Sequence, residues 1–334
     1  MILIVSDRKD IQAYYVMVEL DTLGIAHSLF NVADFPTKSS VSQVLGNTSD
    51  HCSITVDGGS IIRASDVTAV WYRKPDPPKM RQDIDPDERE FTFHEIHSGV
   101  QGLYDALGHA RWMNPIEQVR ISSNKLKQLR LAARLGMQIP RTIFTNDERE
   151  ARKFVDSIDC KVVYKPIGGR YLGTRSGPWE ELIVTREIYT TLLDESTIDA
   201  GLQRLSMCPA LLQQHIEKAL DIRVTVVGDK AFSAEIHSQT TPETTIDWRR
   251  GKDPSALEHK AHELPPHVER QCLDLVKSLA LTFGAIDLVK GKDGRYYFLE
   301  INPNGQYGWV EDLTGLAINK AIAGHLANSG GRRS

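Results

Sequence analysis

Phe298-Leu299-Glu300-Ile301-Asn302-Pro303-Asn304 reads as a strand carrying two hard oxygen donors, Glu300 and Asn302, at a spacing of two, so both side chains leave the same face. The apolar segment Ala285–Val289 precedes it across Lys290–Arg295 as the other arm of a hairpin and offers Asp287 to that face. Ile286, Leu288, Leu299 and Ile301 are expected to make the opposite face apolar and packed. Acids clustered on a packed strand repel one another unless a cation sits among them. Two carboxylates and an amide suit Mg2+, which takes a few protein oxygens together with substrate phosphates rather than a closed cage. Asp287, Glu300 and Asn302 are therefore the candidate metal ligands.

Two lysines fit the anionic half of such a site. Lys165 ends the apolar run Val162-Val163-Tyr164-Lys165-Pro166 and precedes Gly168-Gly169-Arg170-Tyr171-Leu172-Gly173, a loop able to bring backbone amides close to a phosphate. Lys125 sits at the start of a helix predicted over Ser122–Leu135. The glycine loop is neither a Walker A motif nor a strand–GxGxxG–helix pattern, so the set carries more weight than any member. Between these lysines and the hairpin lie Leu211-Leu212-Gln213-Gln214-His215-Ile216-Glu217 and Asp221-Ile222-Arg223-Val224.

The surrounding pattern is α/β. Ile2–Val5, Ile25–Phe30 and Val67–Tyr72 read as strands, with helices over Ile11–Leu23 and from Asp85-Pro86 onward, and a small hairpin across Asp57-Gly58-Gly59. Behind Asn114-Pro115 come short strands at Thr142–Thr145, Lys161–Lys165, Leu182–Thr185, Ala210–His215, Ile222–Val227 and Lys230–His237, then helices over Pro265–Phe283 and Leu313–Leu326. Trp179–Leu205 reads as an amphipathic segment, and Ser329–Ser334 as a polar tail.

A chain of 334 residues, 41% apolar and 25% charged, has the composition of a folded protein of about two domains. With 40 Lys and Arg against 44 Asp and Glu, net charge -4, it lacks the basic field that holds nucleic acid or an anionic membrane. Cys52, Cys160, Cys208 and Cys272 show no CxxC spacing, which favours reduced thiols over a disulfide framework or zinc knot. The opening Met1-Ile2-Leu3-Ile4-Val5 is too short for a signal segment, and no stretch of about 18 apolar residues spans a membrane. A cytoplasmic protein is expected.

Taken in order, Lys125, Lys165, the 211–217 segment, Asp221-Ile222-Arg223 and the Asp287, Glu300, Asn302 triad resemble the ATP-grasp superfamily from Asn114 to Leu326. With Val70-Trp71-Tyr72-Arg73-Lys74-Pro75 and Asp247-Trp248-Arg249, the chain resembles its microviridin-type peptide ligases, the graspetide synthetases. The resemblance implies an N-terminal α/β domain over residues 1–114, followed by two mixed α+β lobes, 115–210 and 211–328, enclosing a nucleotide cleft. It implies that Lys125 and Lys165 contact ATP phosphates, that the hinge at Gln214, His215 and Ile216 meets the adenine edge, and that Glu217 or Asp221 meets ribose. Gln214 stands where related ligases often carry an acid. Arg223 and Arg249 would stabilise the transferring phosphoryl group and the acyl phosphate, and Arg73 would receive a substrate carboxylate. The activity implied is ATP-dependent closure of lactone or lactam rings between Asp or Glu and Ser, Thr or Lys side chains. Its partner would be a leader-bearing ribosomal precursor peptide, and its state a homodimer. The alternative is a ligase for a small amino acid or a protein C-terminus, as in glutathione synthetase or the ribosomal-protein glutamate ligases.

Overall fold

The computed structural model describes residues 1–56, 58–169, 171–174, 183–251, 253 and 256–328. Expectations for Asp57, Arg170, Trp179, Leu182 and the 329–334 tail lie outside the described residues. The chain forms two compact units. The first gathers Met1–Val119 with Leu281–Phe283 and the chain from Ala317, and the second holds Arg120–Ala280 and Gly284–Leu316.

In the first unit the apolar run Ile2–Val5 is the inner strand of a four-stranded parallel sheet, ordered His27–Phe30, Ile2–Val5, Ala69–Tyr72, Arg111–Met113. All four of its side chains are buried, as a strand covered on both faces requires. Leu3, Val5, Phe30 and Val70 pack with Val100, Leu103 and Leu107 around the helix Arg89–Ala106. Helix Ile11–Thr22 packs instead against the C-terminal helix Ile318–Ala327. The small hairpin is three-stranded, because Ser40–Gly46, which carries no strong strand signal, pairs with Ser49–Thr55 beside Ile61–Arg63.

The second unit carries two main sheets. One is antiparallel, ordered Thr191–Leu193, Val162–Lys165, Ala210–Gln214, Thr142–Thr145, over a core of Val162, Leu212, Ala151, Ile198 and Leu202. The other runs His259–Ala261, Lys230–Ile236, Lys218–Val227, Phe283–Gly291, Tyr296–Asn302, so the metal-candidate strand lies at its edge. Helix Pro266–Ser278 buries Val268, Cys272, Leu275 and Val276 against this sheet.

Four expected elements are corrected. The helix expected over 122–135 starts only at Lys125 and runs to Arg134, capped by Asn124, whose side chain accepts from the Lys127 N–H at 3.0 Å, and a separate short helix, Ile116–Ser122, precedes it. The 265–283 helix stops at Ser278, because Ala280 turns left-handed, φ 52°, and the chain enters a strand at Phe283. The 313–326 helix is broken by Gly315, whose left-handed φ of 72° ends Gly308–Thr314 before Ile318–Ala327 begins. In the 179–205 segment the expected short strand is present from Ile183, as Ile183–Glu187, and a second strand, Thr191–Leu193, follows it, so the amphipathic part is confined to the helix Glu195–Leu202.

Candidate active site

The edge hairpin brings its polar residues opposite one another. Asp287 pairs with Glu300 and Ala285 with Asn302 in the antiparallel ladder. The ladder then slips, since Leu288 faces Phe298 and Leu299 is the extra residue of a β-bulge. The bulge keeps Phe298 and Ile301 in the core and turns Leu299, with Val289, into a pocket on the acidic side. Leu299 therefore belongs to the site face and not to the apolar face expected from strict alternation.

Cations crowd these carboxylates. Lys125, first residue of its helix, places Nζ 2.7 Å from Glu300 Oε2 and donates to the Pro166 carbonyl at 3.0 Å. Arg249 lies 3.7 Å from Glu300 Oε1 through Nη1, while its Nε and Nη2 each donate to Asp247 at 2.8 Å in a bidentate fork. Arg223 Nη1 sits 3.3 Å from Asp287 Oδ1, its guanidinium 5.8 Å above the Trp309 ring, which itself lies 5.2 Å from Trp248. Its Nε is buried with no hydrogen-bond partner among the described residues, so part of its donor capacity is unspent.

Protonation follows this crowding. Burial pushes the Glu300 carboxyl up, but Lys125, Arg249 and Lys165 outweigh it and hold it at about 2. At Asp287 burial wins over Arg223 and the carboxyl is raised. Lys165, half-buried at its strand end, has its ammonium brought down to about 8, first by desolvation and then by repulsion from Lys125 and Arg249, against the pull of Glu300 and Asp247.

The donor chemistry fits a hard cation. Among the described residues no group of three His, Cys, Asp or Glu side chains could hold a metal, so this face offers at most two carboxylates and the Asn302 amide. Remaining positions would fall to phosphate oxygens and water, which is the habit of Mg2+.

Beside the acidic face lies a pocket lined by Val163, Lys165, Gln214, His215, Ile216, Ile246 and Leu299 among others. Apolar walls with a few polar edges suit a flat heterocycle. The His215 N–H already donates to the Lys161 carbonyl at 2.9 Å and that of Gln214 to Arg141 at 2.8 Å. Burial and Lys218 lower the pKa of the His215 imidazole, keeping it neutral. Glu217 is exposed at the rim, 3.4 Å from Lys292 Nζ.

Two expected contacts are corrected. Asp221, expected at a ribose, is buried. Its carboxylate receives two bonds from Lys218 Nζ, at 2.9 and 2.6 Å, and one from Ser238 Oγ, leaving little for an incoming hydroxyl. Arg73, expected to meet a substrate carboxylate, follows its strand but turns inward, 1% exposed. Its Nη2 donates to Gln12 Oε1 at 2.8 Å and Nε lies 3.6 Å from Asp10 Oδ2. A buried guanidinium needs an internal counter-ion, and here Asp10 at the start of helix Ile11–Thr22 supplies it. Lys218 and Trp309 were not singled out in the sequence. The first is an isolated surface-type residue whose burial depends on Asp221, and the second lies seven residues past Asn302 with no local signal linking it to Arg223.

Comparison with known proteins decides the family. A model of the RimK-like ATP-grasp domain matches residues 122–326, and one of the MvdD pre-ATP grasp domain matches residues 1–120. The chain belongs to the RimK-like ATP-grasp family. It has the ATP-grasp fold and is an ATP-dependent ligase. Among solved structures, the Chryseobacterium gregarium RiPP-associated ATP-grasp ligase, in complex with ADP and a leader and core peptide, is 27% identical. The match covers 100% of this chain and 98% of that one, with a TM-score of 0.89. Macrocyclase MdnC of Microcystis aeruginosa, bound with precursor peptide MdnA, is 30% identical over 99% of this chain and 100% of that one, TM-score 0.83. A probable alpha-L-glutamate ligase of Pseudomonas fluorescens is 26% identical over 225 residues, 66% of this ATP-grasp chain and 68% of that protein.

Proposed function

We propose that this ligase activates Asp or Glu side chains of a leader-bearing ribosomal precursor peptide and closes lactone or lactam rings with Ser, Thr or Lys side chains of the same peptide. The observation that carries the reading is the likeness over both units to ligases solved with precursor or leader and core peptides, against likeness over two thirds of the chain to the glutamate ligase.

The residues divide as follows. The adenine rests between Leu299, Val163 and Ile246, with its polar edge on the backbone at Ile216, since the N–H groups of Gln214 and His215 are already bonded. Glu217, at the exposed rim, takes the ribose. Lys165 and Lys125 bind phosphate oxygens, Lys125 with the third N–H left beside its contacts to Glu300 and the Pro166 carbonyl. Asp287, Glu300 and Asn302 would hold Mg2+, which when bound would draw charge from the phosphates. A substrate carboxylate oxygen attacks the γ-phosphorus, the bond to ADP breaks, and an acyl phosphate forms while Arg223 and Arg249 offset the charge on the transferring group. The substrate hydroxyl or amine then attacks the acyl carbon, the C–O bond to phosphate breaks, and phosphate leaves as the nucleophile sheds its proton to solvent. Without activation the leaving group would be hydroxide, and the barrier correspondingly high.

Mass spectrometry of a candidate precursor incubated with enzyme, ATP and Mg2+ tests this: each ring removes one water from the peptide and appears with one ADP. Glutamate added to a protein or peptide C-terminus, with no loss of water from an uncoupled peptide, would favour the glutamate-ligase reading instead. Self-association to a homodimer belongs to the same proposal, and sedimentation reads it directly.

A further inference from the structure

The strand Tyr296–Asn302 lies at a sheet edge, so alternate residues turn their N–H and C=O groups away from Phe283–Gly291, where among the described residues the only strand-like pairing is an isolated bridge from Gln138 to Tyr297. At Phe298 the backbone answers, its N–H donating to the Gln138 carbonyl at 2.8 Å. At Ile301, between Glu300 and Asn302, one side chain answers alone. Gln128, 2% exposed, accepts from the Ile301 N–H through Oε1 at 3.1 Å and donates through Nε2 to the Ile301 carbonyl at 2.7 Å. Its second Nε2 hydrogen goes to the Ser122 carbonyl at 2.7 Å. Two carbonyls on one side and an N–H on the other fix which way the amide faces.

Gln128 stands three residues after Lys125 on the same helical face, and Lys125 grips Glu300. One helical turn thus holds the backbone between two candidate metal ligands and the carboxylate of one of them. We propose that Gln128 is a positioning residue for the metal site: it locks Ile301 so that Glu300 and Asn302 are presented together, and it sets their distance from the phosphate-binding Lys125. This rests on the Mg2+ reading of the site and is independent of what the acyl acceptor is.

Orienting partners of this kind are worth about 10- to 100-fold in metal affinity. The test is calorimetric binding of ADP, with and without Mg2+, to the full chain. In Gln128→Leu, similar in volume but unable to hold Ile301, the gain in ADP affinity conferred by Mg2+ should shrink by about tenfold or more, while metal-free ADP binding stays within about threefold of wild type. Gln128→Glu retains the acceptor for the Ile301 N–H but sets a carboxylate against two carbonyls, and should lose at least as much. Thermal melts accompany each variant, and Gln128→Met serves if Gln128→Leu does not fold. A lowered melting point with the Mg2+-dependent gain intact would make Gln128 a structural clamp only and overturn the proposal. No Mg2+-dependent gain in wild type would overturn the metal reading itself, and the proposal with it.

Discussion

Replacing Asp247 by Asn removes the counter-ion of Arg249 while keeping the side chain's shape. Asp247 is 4% exposed and accepts both forks of the guanidinium at 2.8 Å. Burial pushes its carboxyl up, but the hydrogen bonds and charge of Arg249 bring it from 3.8 to about 2. At about 1.36 kcal/mol per pKa unit, that is about 2 kcal/mol of stability at neutral pH. Breaking a fully buried pair costs about 3–5 kcal/mol, and Arg249, 35% exposed, keeps enough water to bring the loss toward the smaller figure. Asp247→Asn should therefore lose about 2 kcal/mol in urea denaturation at pH 7, or about 4–8 °C in melting temperature. Because the folded pKa is depressed, this stability is present above the ordinary carboxyl value and drains as pH falls from about 4 toward 2, so the gap between wild type and variant should close over that window. A double-mutant cycle with Arg249→Gln should return a coupling of about 2 kcal/mol. Turnover should fall as well, since Arg249 loses the fork that aims Nη1 at Glu300. A coupling below about 0.5 kcal/mol, the size of an ordinary surface pair, or a gap that stays constant down to acid pH, would refute the reasoning.

Three further outcomes are expected. Arg73→Ala should lower the urea midpoint by the equivalent of about 3–5 kcal/mol, since Asp10 is left buried without its cation. Arg73→Lys should recover only part of this, and an unchanged midpoint would return Arg73 to substrate binding. Asp287→Ala and Glu300→Ala should each abolish ring closure by mass spectrometry while retaining a cooperative melt, and chelation of Mg2+ should do the same reversibly to wild type. Lys165→Ala should weaken nucleotide binding, whereas Arg223→Ala should act chiefly on single-turnover rate, because the latter's contact strengthens as charge develops. Loss of affinity alone in Arg223→Ala would reverse that division.

What the sequence made legible was whatever repeats at short range. Ile2–Val5 is apolar at every position because both faces of a parallel strand are covered, and Glu300 and Asn302 share a face because the strand period is two. Lys125 at a helix start and Lys165 at a strand end could be placed for the same reason. Pairings set by tertiary contact were not legible. Arg73 ends a strand and Asp221 lies within one, and no periodicity distinguishes a charge waiting for a ligand from one already answered by Asp10 far along the chain or by Lys218 three residues back. The single helix expected over 313–326 failed for a subtler reason, since one glycine at Gly315 can be either a tolerated weakness or a cap, and only the following turn decides.

Leu299 shows why the site could be found while its shape could not. Strict alternation from Ile301 puts Leu299 in the core, and it would then have left Phe298 facing the charges around Glu300. Burying Phe298 and Ile301 together demands an odd step, and the extra residue at the bulge supplies it. The cost is a break in the ladder three residues before Asn302, on a strand already at a sheet edge. That break turns Leu299 into the pocket beside Lys165, and it leaves the strand's outer rim to be held at Phe298 by the Gln138 backbone and at Ile301 by Gln128. The irregularity that hides the pocket wall from period-two reading is thus the same one that makes an outside clamp necessary where the candidate metal ligands emerge.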